Sequence, residues 1–126
     1  MPRRTKQRDA ILEALADAGR PLSPIELQDA AEVASPGISQ STVYRTIKLL
    51  VEEGDAVPVP VPGEPDRYEH ASAAEHHHHH FKCDSCGKVF DLEGCTGSLK
   101  ELLPEGFTLR DHEIFLYGDC PACAGS

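Results

Sequence analysis

The chain has 126 residues, 40% of them apolar, and a formal net charge of −9. This length suits one domain or two very small ones, and no apolar run is long enough to cross a membrane. The N-terminus lacks a secretory signal pattern, so we expect a cytoplasmic protein. The charge is uneven, with +1 on residues 1–50 and −10 on residues 51–126. Basic residues near the N-terminus suit phosphate contact, although charge alone does not distinguish it from ordinary solvated side chains.

The first third of the chain predicts two helices. Apolar periodicity indicates a helix over residues 6–18 that ends at Gly19. A second helix is predicted from Pro24 to about Val33, because Ser23 precedes it with the spacing of a capping box. Its expected buried residues are Ile25, Leu27, Ala30 and Ala31.

A third helix is predicted from about Gln40 to Glu53. One stripe of it is apolar, and the other face carries hydroxyl, aromatic and basic side chains near the start. These residue types suit a helix that enters the major groove of DNA, where Arg reaches guanine and hydroxyls reach phosphates. The predicted buried residues are Val43, Ile47, Leu50 and Val51, and the candidate DNA contacts are Ser41, Thr42, Tyr44, Arg45 and Lys48, with Arg3 and Arg4 beside them.

A proline-rich ribbon follows the third helix. The segment VPVPVP alternates Val with Pro, and prolines cannot donate to a central sheet, so an edge-type hairpin is predicted that returns over Arg67, Tyr68 and Glu69. Three short helices and a β-ribbon are the order of a winged helix-turn-helix domain. From pattern alone a helical protein–protein module fits nearly as well, and polyproline recognition fits less well.

Two CxxC pairs are the strongest chemical signal in the chain. Cys83 and Cys86 form one pair, Cys120 and Cys123 the other, and 33 residues separate them. Each pair directs two thiolates at one tetrahedral ion, so together they predict a closed, structural zinc site. A redox-active CxxC is the alternative.

Five consecutive histidines, residues 76–80, precede the first CxxC pair. On a strand spanning residues 76–82, alternate side chains would face opposite sides, and one run would then supply two metal sites. A purification tag or a flexible, loosely binding His-rich loop are the alternatives.

Beyond the first CxxC pair we predict strands at 88–92, 107–109 and 113–117 and a short helix with Leu99, Leu102 and Leu103. Exposed edge strands and a small core favour closure by a second subunit.

These motifs together resemble the ferric uptake regulator (Fur) family of bacterial metal-dependent repressors, including its zinc-sensing type. The resemblance rests on STVYRTIKLLVEEG, HHHHHFKCDSCGKVFDL and DHEIFLYGDCPAC and extends over nearly the whole chain. It implies an α+β protein with a winged-helix DNA-binding domain, residues 1–70, and a small α/β dimerisation domain, residues 71–126. It also implies a homodimer that binds double-stranded operator DNA when a regulatory divalent metal, zinc or iron(II), is bound.

The resemblance also implies two further ligand sets. A second site would join His77 and His79 to His112, with Cys95 as the fourth ligand if the shortened segment lies before its helix. Otherwise Ser98, a poor ligand, occupies that position; Glu93 and Glu101 are the fallback carboxylates, and the alternative for Cys95 is a small buried residue. One thiolate and three imidazoles favour zinc. The sensing site departs from the family pattern, because Pro21 occupies a position that often holds His. Its implied ligands are Glu69, His78, His80 and Asp91, with His70 replacing the lost histidine by reach.

Three other functions remain open at this point. A peroxide sensor of the same family would be favoured by an Asp in the His run, which has none. A zinc enzyme would need an open coordination position beside a general base, and no HExxH spacing is present. A metal-storage protein would use the His run without the helical half.

Overall fold

A computed structural model describes residues 6–73, 79–92 and 99–124. The chain divides into two compact units, Met1–His76 and His77–Ser126. Within the described ranges, no helix is both long and apolar enough to span a bilayer.

The first unit begins with three helices, as the sequence predicts. They are α1 (Lys6–Ala18), α2 (Pro24–Ala31) and α3 (Gln40–Glu52). Their apolar faces form one core, whose most completely buried large side chains include Ile11, Leu15, Leu27, Val43 and Leu50.

The start of α2 is fixed by the predicted capping box. Ser23 Oγ accepts from the backbone N–H of Glu26 at 3.1 Å, and Glu26 Oε1 accepts from the N–H of Ser23 at 3.0 Å. The predicted burial on α2 is partly wrong, since Ile25 is 62% exposed and Ala30 is exposed. This short helix buries only the stripe formed by Pro24, Leu27 and Ala31, and the other two residues lie outside it.

The predicted ribbon is a two-stranded antiparallel hairpin of β1 (Ala56–Val61) and β2 (Glu64–His70), called the wing below. Its register is irregular between Val59 and Val61, where Pro60 has no N–H to donate. A backbone bridge attaches the wing to the helices: Leu22 donates to Tyr68 O at 2.7 Å, and Tyr68 donates to Leu22 O at 2.8 Å.

Glu26 forms a second attachment between the helices and the wing. Its carboxylate accepts from Arg67 on β2 at 2.9 Å and from Arg20 at 2.9 Å. Burial alone would raise the pKa of Glu26, but the Ser23 N–H and the two guanidinium groups outweigh it and lower that pKa. Arg67 is almost fully buried, and its ion pair with Glu26 balances its charge within the unit.

The second unit holds a three-stranded sheet of β3 (His79–Cys83), β4 (Val89–Leu92) and β5 (Phe115–Gly118) in the order β4-β3-β5. β3 pairs antiparallel with β4 and parallel with β5. A 3-10 helix (Leu99–Leu102) and a short final helix, α4 (Pro121–Ala124), complete the described elements.

Two strand predictions in this unit need correction. The stretch 107–109 is not a strand: it follows the turn at Pro104–Gly106, and Phe107 is 66% exposed, so it has no buried face to pack. The last strand begins at Phe115 rather than Glu113. The predicted strand over 76–82 is observed from His79 onward, and residues 76–78 lie outside the described part of the chain.

Candidate metal centres and nucleic-acid interface

The sheet of the second unit brings the two CxxC pairs together. Cys83 is the last residue of β3, and its parallel register partner is Gly118 on β5. Cys120 lies two residues after the end of β5, so the parallel pairing places the second CxxC beside the first. Ser85 Oγ donates to Asp119 Oδ1 at 2.7 Å and ties the two turns to each other.

All four thiol sulfurs of this cluster lie within 4.8 Å of one another. The Sγ atoms of Cys86 and Cys120 are 3.8 Å apart. Zinc–sulfur bonds of about 2.3 Å in a tetrahedron require sulfurs roughly 3.8 Å apart, so the cluster fits a four-thiolate zinc site. A redox pair would need only two of these sulfurs, and the gathering of all four favours the metal.

Backbone groups polarise the cluster around one sulfur. The N–H groups of Cys120 and Cys86 each donate to Cys83 Sγ at 3.4 Å and lower the pKa of Cys83 to about 6. Hydrogen bonds to the sulfurs of Cys120 and Cys83 raise the pKa of Cys123 to about 12. One sulfur is therefore prepared as a thiolate, whereas ionising all four so close together requires a cation among them.

The predicted second site is described in part. His79 on β3 is 3% exposed, and its ring centroid lies 4.9 Å from that of His112 at an angle of 40°. These two predicted ligands therefore come together although 32 residues separate them in the sequence. The other two predicted ligands, His77 and Cys95, lie outside the described residues.

The predicted sensing site is represented in the second unit by His80 and Asp91. They are direct cross-strand partners on β3 and β4, and His80 Nε2 lies 3.1 Å from Asp91 Oδ1. The ring of His80 stacks on Phe115 with centroids 5.3 Å apart. Phe115 was not predicted as a site residue, and its place in the chain carries no signal for this contact. An imidazole and a carboxylate meeting in this way are a common pair of ligands for a divalent metal.

The remaining three predicted sensing residues are Glu69, His78 and His70. Glu69 lies on β2 of the first unit, and His78 lies outside the described residues. His70 Nδ1 accepts from the backbone N–H of Ser72 at 3.1 Å and lies 2.8 Å from Ser72 Oγ. Nδ1 of His70 would therefore have to release Ser72 before it could bind a metal.

The candidate nucleic-acid interface is the exposed face of α3. Tyr44 is 51% exposed, and Ser41, Arg45 and Lys48 are exposed as well, whereas Thr42 is half-buried. Ser39 caps this helix. It was not among the predicted residues, although the preference of Ser for the N-cap position could have identified it. Arg3 and Arg4 lie outside the described residues. Arg8, another basic residue of α1, is buried against Glu53 and Asp55 and is not placed to contact phosphate.

One tyrosine of the wing interacts electrostatically with Tyr44 of α3. Burial raises the pKa of Tyr68 on β2, and the nearby Asp66 and Tyr44 raise it further. Tyr44 of α3 and Tyr68 of β2 are therefore close enough to influence each other electrostatically, and the exposed Asp66 beside Tyr68 is acidic.

Comparison with known proteins agrees with the motifs. The ferric uptake regulator family model matches residues 2–117. The ferric uptake regulation protein of Synechococcus elongatus is 32% identical over 129 residues, which cover 98% of this chain and 87% of that protein. A zinc-bound manganese uptake regulator superposes with a TM-score of 0.79 at 31% identity, over 94% of this chain and 91% of the other.

A solved structure of the Helicobacter pylori ferric uptake regulator, described as having three functional metal binding sites, gives a TM-score of 0.68 at 26% identity. It covers 98% of this chain and 83% of that one. These matches confirm the predicted family, the predicted fold class and the predicted function as a metal-responsive transcription regulator. The chain therefore belongs to the ferric uptake regulator family of metal-responsive transcription regulators.

Proposed function

We propose that this chain is a cytoplasmic repressor that binds operator DNA as a metal-loaded homodimer and controls genes of metal-ion homeostasis. The observation that carries this most directly is the His80–Asp91 pair, a metal-ligand pair on neighbouring strands of the same sheet that gathers four thiols. A closed four-thiolate site has no position for substrate, so a separate site of imidazole and carboxylate is suited to reversible binding.

Cys83, Cys86, Cys120 and Cys123 would hold the structural zinc. The ion would supply the positive charge that lets four neighbouring sulfurs ionise together. The chain's own contribution is the parallel pairing of β3 with β5 and the two N–H groups that already stabilise the Cys83 thiolate. We assign no catalysis to this site, because its shell is full.

Glu69, His78, His80 and Asp91 would form the regulatory site. His80 and Asp91 belong to the second unit and Glu69 to the wing strand, so a metal bound by both would couple metal occupancy to the DNA-binding unit. Coupling can only be as large as the difference in metal affinity between the two arrangements. Moving a population from 1:99 to 99:1 takes roughly 5.5 kcal/mol, which is attainable for a metal with several ligands. His70 would join only after releasing Ser72.

His77, His79, Cys95 and His112 would form the second site, supported by the contact between the rings of His79 and His112. A thiolate with three imidazoles selects zinc over iron(II) or manganese. Metal content per chain of protein purified without chelator, compared with a Cys95→Ser variant, tests this set. Loss of one zinc would place Cys95 in the site, and unchanged zinc would return it to the core.

Ser41, Thr42, Tyr44, Arg45 and Lys48 on α3 would meet the major groove, with Arg3 and Arg4 adding phosphate contacts. The Ser41 hydroxyl and Lys48 would fix the position on the backbone, and Arg45 would read bases.

The deciding experiment is duplex binding by the full chain with and without added zinc, iron(II) or manganese. We expect salt-sensitive, sequence-selective binding that needs the metal. Asp91→Asn should weaken this response while the tightly held zinc of the four cysteines remains. Glu105→Gln makes the same kind of change at an exposed residue of the second unit that belongs to no proposed ligand set, and this matched control should respond normally. A metal-loaded dimer without selective, salt-sensitive binding would rule out the repressor function and leave the storage or enzyme alternatives.

The peroxide-sensing alternative is separated by a second readout. Hydrogen peroxide added to iron-loaded protein should leave the histidine side chains unmodified by mass spectrometry if the chain is a metal sensor. Oxidation of one histidine with loss of DNA binding would identify a peroxide sensor.

A further inference from the structure

A short chain of hydrogen bonds on the exposed face of α3 ends on Arg45. Thr42 Oγ1 accepts from Ser39 Oγ at 2.9 Å and from Arg45 Nη2 at 3.2 Å. Ser39 Oγ in turn accepts from the backbone N–H of Thr42 at 3.2 Å, which is its capping bond. A hydroxyl oxygen has two lone pairs, so both acceptor positions of Thr42 are filled. Its oxygen is fixed by the cap on one side and holds the guanidinium on the other.

This position of Arg45 is electrostatically unfavourable for the isolated helix. Its guanidinium is bonded to the first turn of α3, where the helix dipole already creates partial positive charge. The Thr42 hydroxyl offsets part of that repulsion with a direct hydrogen bond. A cation retained at the positive end of a helix is well placed for an electron-rich partner.

Most donors of Arg45 remain available while Thr42 holds it. A guanidinium has five N–H groups, and the bond to Thr42 uses one of them. The opposite edge can still present two parallel donors, the arrangement that recognises guanine O6 and N7. An arginine whose orientation is already fixed also loses less rotamer freedom on binding.

We propose that Thr42 is a positioning residue for base recognition: it orients Arg45 so that Arg45 reads a guanine, and thereby contributes to operator selectivity without contacting the base itself. This rests on the proposed DNA-binding function. Ser39 acts through Thr42 by fixing the hydroxyl oxygen from the cap.

The test uses the metal-loaded full chain and a random-sequence duplex library. Selection with the wild-type chain yields a preferred duplex, and Arg45→Ala identifies the base pair at which Arg45 discriminates. Binding is then measured on the four duplexes that differ only at that pair. Thr42→Val keeps the shape and removes the hydroxyl, and Thr42→Ser keeps the hydroxyl.

We expect Thr42→Val to lose about fivefold to tenfold of the selectivity at that one base pair, with little change on unrelated duplexes. Thr42→Ser should keep wild-type selectivity. In an Arg45→Ala background, Thr42→Val should have no further effect, because Thr42 acts through Arg45. Unchanged zinc content and melting temperature would show that the fold is intact, and Thr42→Ala replaces Thr42→Val if that variant does not fold.

Three outcomes would overturn the assignment. Selectivity of Thr42→Val equal to that of wild type would mean that Arg45 needs no positioning. Effects that add in the double variant would make Thr42 an independent DNA contact. Wild-type protein without any selected duplex would remove the proposed DNA-binding function itself, and this result is distinguishable because it precedes any variant.

Discussion

The two units of this chain are stabilised by different chemistry. In the first unit, three helices and the wing enclose eleven buried residues that form one continuous apolar cluster. In the second unit, the buried residues among those described are Cys83, Val89, Cys120 and His79. Three of these four are predicted metal ligands, so the interior of the second unit consists largely of metal-binding side chains.

This difference predicts how each unit depends on metal. Burial of one large aliphatic side chain contributes about 1.5–3 kcal/mol, so the apolar cluster of the first unit can support folding by itself. A structural zinc site contributes about 10–16 kcal/mol in small domains, which a unit with little apolar interior would need. We therefore expect folding of the second unit to require zinc, and folding of the first unit not to.

The largest expected effect is loss of the four-cysteine site. Cys83→Ser removes the buried thiol at the end of β3, so the chain should lose one tightly bound zinc and the second unit should unfold. Amide NMR spectra should show the signals of β3 to β5 collapse while those of α1 to α3 keep their dispersion. Asp84→Ala is the matched control, because it changes an exposed residue of the same turn that offers no thiol. A Cys83→Ser protein with an intact sheet would contradict metal-dependent folding.

The converse change should act on the first unit alone. Leu27→Ala creates a cavity at a fully buried position and should lower the free energy of unfolding of that unit by about 2–5 kcal/mol. Ile25→Ala, two residues away on the same helix but 62% exposed, should cost less than about 0.5 kcal/mol. Thermal melts with zinc analysis check both, and zinc content should stay unchanged in each. Equal destabilisation by the two variants would show that α2 packs differently.

A smaller effect should separate helix capping from attachment of the wing. Glu26→Gln keeps an acceptor for the Ser23 N–H but loses the negative charge that binds Arg20 and Arg67. We expect a loss of about 1–2 kcal/mol in the unfolding of the first unit, since two charge-assisted bonds weaken. Glu26→Ala, which also removes the acceptor for the Ser23 N–H, should lose more.

The pH dependence gives an independent check of the same residue. The pKa of Glu26 is held below its usual 4.5, so its contribution is present above that pH and is lost as pH falls through the folded value. Glu26→Gln should therefore reduce the loss of unfolding free energy at acid pH. The NMR signals of α1 to α3 can follow this loss. If the loss of unfolding free energy at acid pH were unchanged, Glu26 would not be the residue responsible for this pH dependence.

Much of the first unit could be predicted from the sequence because its signals are local. The capping box at Ser23, the stripe on α3 and the glycines after two helices specify elements within a few residues. The prediction of which α2 residues are buried was partly wrong, because helical spacing does not show how wide the buried face is. The pairing of Arg67 with Glu26 was also missed, since it joins residues 41 positions apart.

The second unit could be predicted mainly through its chemistry. Two CxxC pairs identify each other regardless of the 33 residues between them, and alternation on a strand separates His79 from His80. Its strands are short and lack strong periodicity, and so the stretch at 107–109 was misjudged. The stacking of Phe115 on His80 depends on parallel pairing of β3 with β5, which no local pattern encodes.

The smallest expected effect concerns the charge of the wing. Asp66 is exposed near the turn of the wing, and it contributes to the raised pKa of Tyr68 together with Tyr44 of α3. If α3 enters a major groove, this carboxylate would lie near the DNA backbone and repel it. Asp66→Lys should then tighten duplex binding by up to about fivefold at low salt, an exposed-charge effect of less than about 1 kcal/mol.

The salt dependence decides whether that gain is electrostatic. Asp66→Lys should steepen the fall of affinity with salt by about one phosphate contact, and Asp66→Asn should lie between it and the wild type. Neither change should alter zinc content, because Asp66 belongs to the unit that we expect to fold without metal. If neither substitution changed the affinity, the wing would lie away from the DNA. Its proposed role would then be limited to supplying Glu69 to the regulatory site.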